Sequence, residues 1–242
     1  MLAAIFFGAF VARATGVGFA LVVVAALLAL PHVDQPTALF IAAPLSILNL
    51  SFVIATLYRE TPWGTMQRLA LPMTVGFIAG FVLGLYIPKS WMLILGLLIV
   101  AYTFVTMVRP PVPGQPNRMA RADVGGGLTG LMTGALSFPG PPISAFLLAR
   151  GFIGNPIRMT IAFVGLAGSG IRLAIGGSFS IPMPEYGQLM LIGSLLILAG
   201  TAAGWWAARR MSARVHRALI IAMTLLAFLS LAYGLIGEVY AA

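Results

Sequence analysis

The chain of 242 residues is 60% hydrophobic and only 8% charged, a composition that excludes a water-soluble domain of this size and indicates an integral membrane protein. The net charge of +9 does not indicate a nucleic-acid partner, because basic residues in a membrane protein report topology. The absence of cysteine excludes disulfides and thiolate metal sites.

In chain order, the first apolar stretch is Met1–Leu30, broken at Thr15-Gly16-Val17-Gly18 just after Arg13. It does not read as a secretory signal, since it has no basic leading region and has a counterpart later in the chain. Three uninterrupted runs follow, Thr37–Leu57, Leu69–Ile87 and Trp91–Val108, each near the roughly 20 residues with which an α-helix crosses about 30 Å of hydrocarbon. The proline-rich segment "RPPVPGQPNRMAR", Arg109–Arg121, reads as an extended loop. Val124–Phe152 is again long, apolar and broken, here around Ser137-Phe138-Pro139-Gly140. Ile157–Ile175, Gly187–Ala207 and Ala218–Ile236 complete six plain crossings. The runs are continuous rather than alternating, which excludes a β-barrel and predicts an all-α, polytopic protein.

The chain repeats itself. A shift of 122 lays Gly8, Thr15 and Gly18 on Gly130, Ser137 and Gly140; a shift of 120 lays Pro36 on Pro156, Ala42 on Ala162, and Ala79-Gly80-x-x-x-Gly84 on Ala199-Gly200-x-x-x-Gly204. The expected organisation is a first transmembrane repeat over 1–108, a cytoplasmic linker over 109–122 and a second repeat over 123–242. If both broken stretches cross fully, the flanking basic residues divide five against seven. If each is a re-entrant hairpin, the repeats are inverted and the division is eleven against one, with Lys89 alone on the minority face. The positive-inside rule favours the hairpins, with both termini outside, and predicts that His32 and Asn155 lie on opposite faces.

Two hairpin tips would then meet near the midplane, one at Ala14–Gly18 and the other at Ser137–Pro142. Each second arm would present unpaired N–H groups and the positive end of its dipole, which suits an anion. The candidate contacts are Arg13, Thr15 as a cap or hydroxyl donor, Gly16 and Gly18 in the first tip, and Ser137, Pro139 and Gly140 in the second. All five acids lie in loops or at segment ends, whereas Arg13 and Arg172 lie within apolar runs. A central unpaired arginine costs at least about 2.5 kcal/mol on insertion scales and must face water, carbonyls or an anion; snorkelling is the alternative, more so for Arg172. Asn49 is a further candidate, with interhelical hydrogen bonding as its alternative. Gly76, Gly80 and Gly84, like Gly126, Gly130 and Gly134, form ridges suited to helix packing. His32 and His216 sit at helix ends, too isolated to bind a metal. No cofactor is indicated, and a membrane enzyme would need an acid, base, nucleophile or metal set that the apolar core lacks.

The opening "GAFVARATGVGFALV", its counterpart "GLTGLMTGALSFPGPPISAFLLARG" and the following "NPIRMTIAF" resemble the TauE/SafE sulfite exporters, also called toluene-sulfonate-uptake permeases, over nearly the whole chain. The resemblance implies a transporter of sulfite, organosulfonates or related anions in the bacterial inner membrane, with the glycine-bearing opening of both halves in the pathway. An inside-negative potential favours anion export by about 2.3 kcal/mol per charge per 100 mV, so export without coupling is the expectation. Proton-coupled uptake of organic anions and an anion channel are the alternatives. Homo-oligomerisation is not legible in the sequence.

Overall fold

A computed structural model describes residues 1–28, 35–108, 121–136, 138–176 and 187–241. Ser137, His32 and most of the linker therefore lie outside the described residues. The described chain is helical throughout: α1 (Leu2–Thr15), α2 (Phe19–Leu28), α3 (Gln35–Leu57), α4 (Trp63–Tyr86), α5 (Lys89–Val108), α6 (Ala122–Leu136), α7 (Gly140–Ala149), α8 (Asn155–Gly176), α9 (Gly187–Arg210) and α10 (Ala213–Ala241), with a short 3-10 turn at Tyr58–Glu60. Five of these, α3, α4, α5, α9 and α10, are long and apolar enough to cross a membrane. The sixth predicted crossing is α8, whose 22 residues span about 33 Å at 1.5 Å per residue. Its first half is enclosed by protein, with Ile157 through Ala162 all buried, so it carries polar groups that a lipid-facing helix would not.

Both predicted breaks are present. Gly16 ends α1 in the left-handed conformation, φ 90°, with its N–H donating to the Ala12 carbonyl at 2.7 Å. Gly18 follows at φ 114°, so a Gly-x-Gly pair supplies two angles that L side chains rarely adopt. The second break uses proline instead: Pro139 precedes α7, and Pro141 and Pro142 occupy its first turn, where a missing N–H costs nothing and the fixed φ starts the helix. The arms of each broken stretch lie against each other, Gly8 beside Phe19 and Val23, and Gly125 beside Phe146.

The two halves exchange partners. α1 packs along α9, α6 packs along α4, and α3 meets α8 and α5 meets α10 between them. The glycine ridges make the exchange close: Gly76 and Gly80 abut the carbonyls of Gly127 and Leu131, and Gly130 and Gly134 those of Met73 and Phe77, as their spacing predicted, while Gly84 and Gly126 sit in looser contacts; Gly200 and Gly204 likewise abut the carbonyls of Phe6 and Phe10. A side chain at these positions would force the backbones apart. Leu71, Tyr86, Leu98, Leu191, Leu195 and Tyr233 are strongly exposed, and on α4, α5, α9 and α10 such residues form the surface available to lipid.

Candidate functional site

The two breaks touch and share a small cavity of about 70 Å³ lined by Gly16, Val17, Gly18, Phe138, Pro139 and Gly140, with Ser46 and Ser169 of α3 and α8 on its wall. A Cβ on Gly140 would lie 2.5 Å from Val17 Cγ1, so the second tip accepts the first only because this residue is glycine. The first hydrogen bond of α2 runs from Val22 N–H to Gly18 O at 2.9 Å, which leaves the N–H groups of its opening turn without intrahelical acceptors. α7 offers fewer donors: Ile143 N–H is taken by Pro139 O at 3.4 Å, and its two prolines have none.

The residues predicted for this cavity divide. Gly16, Gly18, Pro139 and Gly140 line it. Thr15 is buried, but its hydroxyl accepts the Val17 N–H at 3.1 Å and donates within reach of the Val11 and Val17 carbonyls at 2.8 and 2.9 Å. It therefore closes the end of α1 and does not cap α2. Asn49 is fully buried and accepts from Thr201 Oγ1 at 3.1 Å, joining α3 to α9, while its Nδ2 has no partner; it lines neither this cavity nor the next. Arg172 belongs to α8, and its side chain lies outside the described residues.

Arg13 faces elsewhere. Ala12 and Gly16, four apart on one face of α1, line the cavity between the breaks; Arg13 is about 100° further round the helix and faces a second, larger cavity of about 470 Å³. This cavity is bounded by the ends of α3, α9 and α10 and the start of α8, with Thr56, Glu60, Asn155, Arg158 and His216 among its walls. Arg13 is 2% exposed. Its Nη2 donates to Thr56 Oγ1 at 3.1 Å, whereas Nε and Nη1 have no acceptor among the described residues. Arg158 is also buried: Nε donates to the Ala14 carbonyl at 2.9 Å and Nη1 to Asn155 Oδ1 at 2.7 Å. Asn155 Nδ2 in turn donates to both Glu60 carboxylate oxygens, each at 2.8 Å. The His216 ring is buried, with one nitrogen directed at the Thr15 carbonyl, but neither ring nitrogen makes a well-aligned hydrogen bond among the described residues.

Two guanidinium groups thus share one cavity, and among the described residues neither pairs directly with a carboxylate. Burial without a counter-ion is costly unless polar groups or a ligand compensate. Arg158 and His216 were missed in the sequence because each lies within a few residues of a helix start. Their positions read as loop-flanking charge and as an isolated helix end, and only the packing of α8 and α10 against the first break turns them inward.

The family model described as Sulfite exporter TauE/SafE matches residues 1–231. No curated protein and no solved structure matches the chain.

Proposed function

This chain belongs to the TauE/SafE sulfite exporter family, and from that premise we propose that it moves a small oxyanion, sulfite or an organosulfonate, outward across a bacterial inner membrane. The family supports a multi-pass membrane transporter of anions; the anion, the direction and the route are our reading. In it, the two broken stretches are re-entrant hairpins in inverted repeats, both termini are outside, and the arginine-rich loops are cytoplasmic. The side-by-side arms and the exchange of partners support the hairpins, and the eleven-to-one distribution of basic residues supports the orientation.

The larger cavity opens where α3, α7 and α9 end and α8 and α10 begin, close in the chain to Arg59, Arg150, Arg158, Arg209, Arg210, Arg214 and Arg217, so in this reading it is the cytoplasmic approach. The contact of Val17 on Gly140 closes the route beyond it. Passage requires the two breaks to part, which rocking of one half against the other provides. Gly16, Gly18, Pro139 and Gly140 form the narrow passage, while the opening turn of α2 stabilises negative charge within it. Arg13 compensates the anion one step earlier, on the cytoplasmic side of the first break.

The observation that carries this reading is Arg13: a buried guanidinium in an apolar helix, with two of its three nitrogens lacking acceptors and facing a polar cavity. Arg13→Ala should abolish sulfite counterflow in proteoliposomes that saturates in the wild type. Unchanged counterflow would remove Arg13 from the mechanism, and a flux that does not saturate would favour a channel.

A further inference from the structure

We infer that Arg13, Arg158 and His216 form one binding site for a pyramidal oxyanion with an SO3-type face, on the cytoplasmic side of the first helix break. The inference rests on the transporter reading and goes beyond it by assigning two residues, from α8 and α10, that neither the family match nor the sequence pattern singles out.

Three helices each contribute one nitrogen-bearing side chain to the same 470 Å³ cavity. All three side chains belong to residues no more than 5% exposed, so none snorkels to bulk water. Among the described residues, Nε and Nη1 of Arg13 and the ring nitrogens of His216 make no well-aligned hydrogen bond; the guanidinium atoms are donors, and the imidazole donates from at least one nitrogen. Buried donors are normally paired, and an orphan is costly enough that a cluster of them around one cavity calls for a ligand. The nearest acid cannot take that place. Glu60 is exposed at the cavity rim, and both its oxygens receive the Asn155 amide.

An SO3 face offers three acceptor oxygens at one end of a small anion, and the site offers three donor groups, two of them cationic. Sulfite and a short alkyl sulfonate share that face; they differ in the fourth position, where sulfite has a lone pair and the sulfonate has carbon, and in charge, since the sulfonate is always a monoanion. Chloride can also accept several hydrogen bonds, but it is a single atom without the three-pointed shape of an SO3 face, so it is the control for binding by charge alone. The site is joined to the break itself: Arg158 Nε holds the Ala14 carbonyl, and the Gly16 backbone rests on Arg158, with a Cβ there reaching 2.9 Å from its Cα. An anion drawing Arg158 toward itself therefore pulls on the last turn of α1.

His216 separates this proposal from a packing role. If the ring only fills space, His216→Phe keeps sulfite binding intact. If it is a ligand, the same substitution removes two orphan nitrogens and raises the melting temperature of the anion-free protein, while sulfite affinity falls at least tenfold, the scale of one charge-assisted hydrogen bond. Purified protein in detergent should be titrated with sulfite, methanesulfonate and, at equal ionic strength, chloride, using thermal stabilisation and calorimetry. Sulfite and methanesulfonate should stabilise the wild type and chloride should not. Arg158→Gln should also lose at least tenfold in affinity, and His216→Gln, which keeps a donor, should recover part of what His216→Phe loses. Sulfite binding that is unchanged in both His216→Phe and Arg158→Gln overturns this site and leaves the transporter reading standing. A wild type that neither binds nor transports sulfite or methanesulfonate overturns the transporter reading itself.

Discussion

Gly16→Ala tests whether the first break is held as tightly against α8 as its geometry implies. Gly16 sits at φ +90°, and an added Cβ would approach Arg158 Cα to 2.9 Å and Arg158 Cγ to 3.3 Å. Left-handed backbone costs a non-glycine residue about 1–2 kcal/mol, and forcing a methyl group into a filled contact costs typically about 1–3 kcal/mol. Together they predict a loss of about 2–5 kcal/mol, which for a chain of this size lowers the melting temperature on the order of 10 °C. Gly64→Ala is the matched control, because Gly64 lies in the first turn of α4 with no atom within 4 Å of its added Cβ; it should gain up to about 1 kcal/mol from helix propensity. Thermal melts of both variants in detergent, followed by tryptophan fluorescence, measure the difference. Because the displaced backbone is that of Arg158, Gly16→Ala should weaken sulfite binding as well. A Gly16→Ala protein that melts with the wild type would refute both the left-handed cap and the contact with α8.

The cavity rim and the orientation have their own tests. Glu60→Gln retains an acceptor for Asn155 but removes the negative charge facing the incoming anion, so sulfite affinity should rise about two- to threefold, in keeping with exposed charge effects below about 1 kcal/mol; calorimetry that finds weaker binding would show that the carboxylate instead serves to hold Asn155 and Arg158. Tyr86→Cys and Arg150→Cys place single thiols at exposed sites in a chain without cysteine. An impermeant maleimide should label the first in intact cells and the second only after permeabilisation, and labelling of Arg150→Cys in intact cells would invert the assigned topology.

Most of the framework was legible because membrane helices are written locally. Apolar length marks α3, α4, α5, α9 and α10, and Gly16, Gly18 and Pro139 mark the breaks through backbone preferences that need no tertiary context. The ridge spacing at Gly76-Gly80 and Gly130-Gly134 announced close packing, though not that each ridge would meet the other half. The direction of a buried side chain was not legible. Ala12 and Arg13 are adjacent in sequence, yet the 100° step between them on α1 sends them to different cavities, so nearness to the break did not place Arg13 between the tips. Arg158 and His216 illustrate the complementary limit: hydropathy near a helix start cannot tell a residue in the interfacial loops from one that lines a polar recess reaching into the protein.

The exchange of partners between the halves also constrains how the protein is made. The surface that receives α1 is the Gly200-Gly204 ridge of α9, synthesised only after most of the chain has emerged from the ribosome. Until then the first broken stretch has only α3 to pack against, and Arg13 and the open turn of α2 must be tolerated by the insertion machinery or by transient water. The first half therefore waits for the second to be completed, and neither reaches its final packing as an autonomous unit.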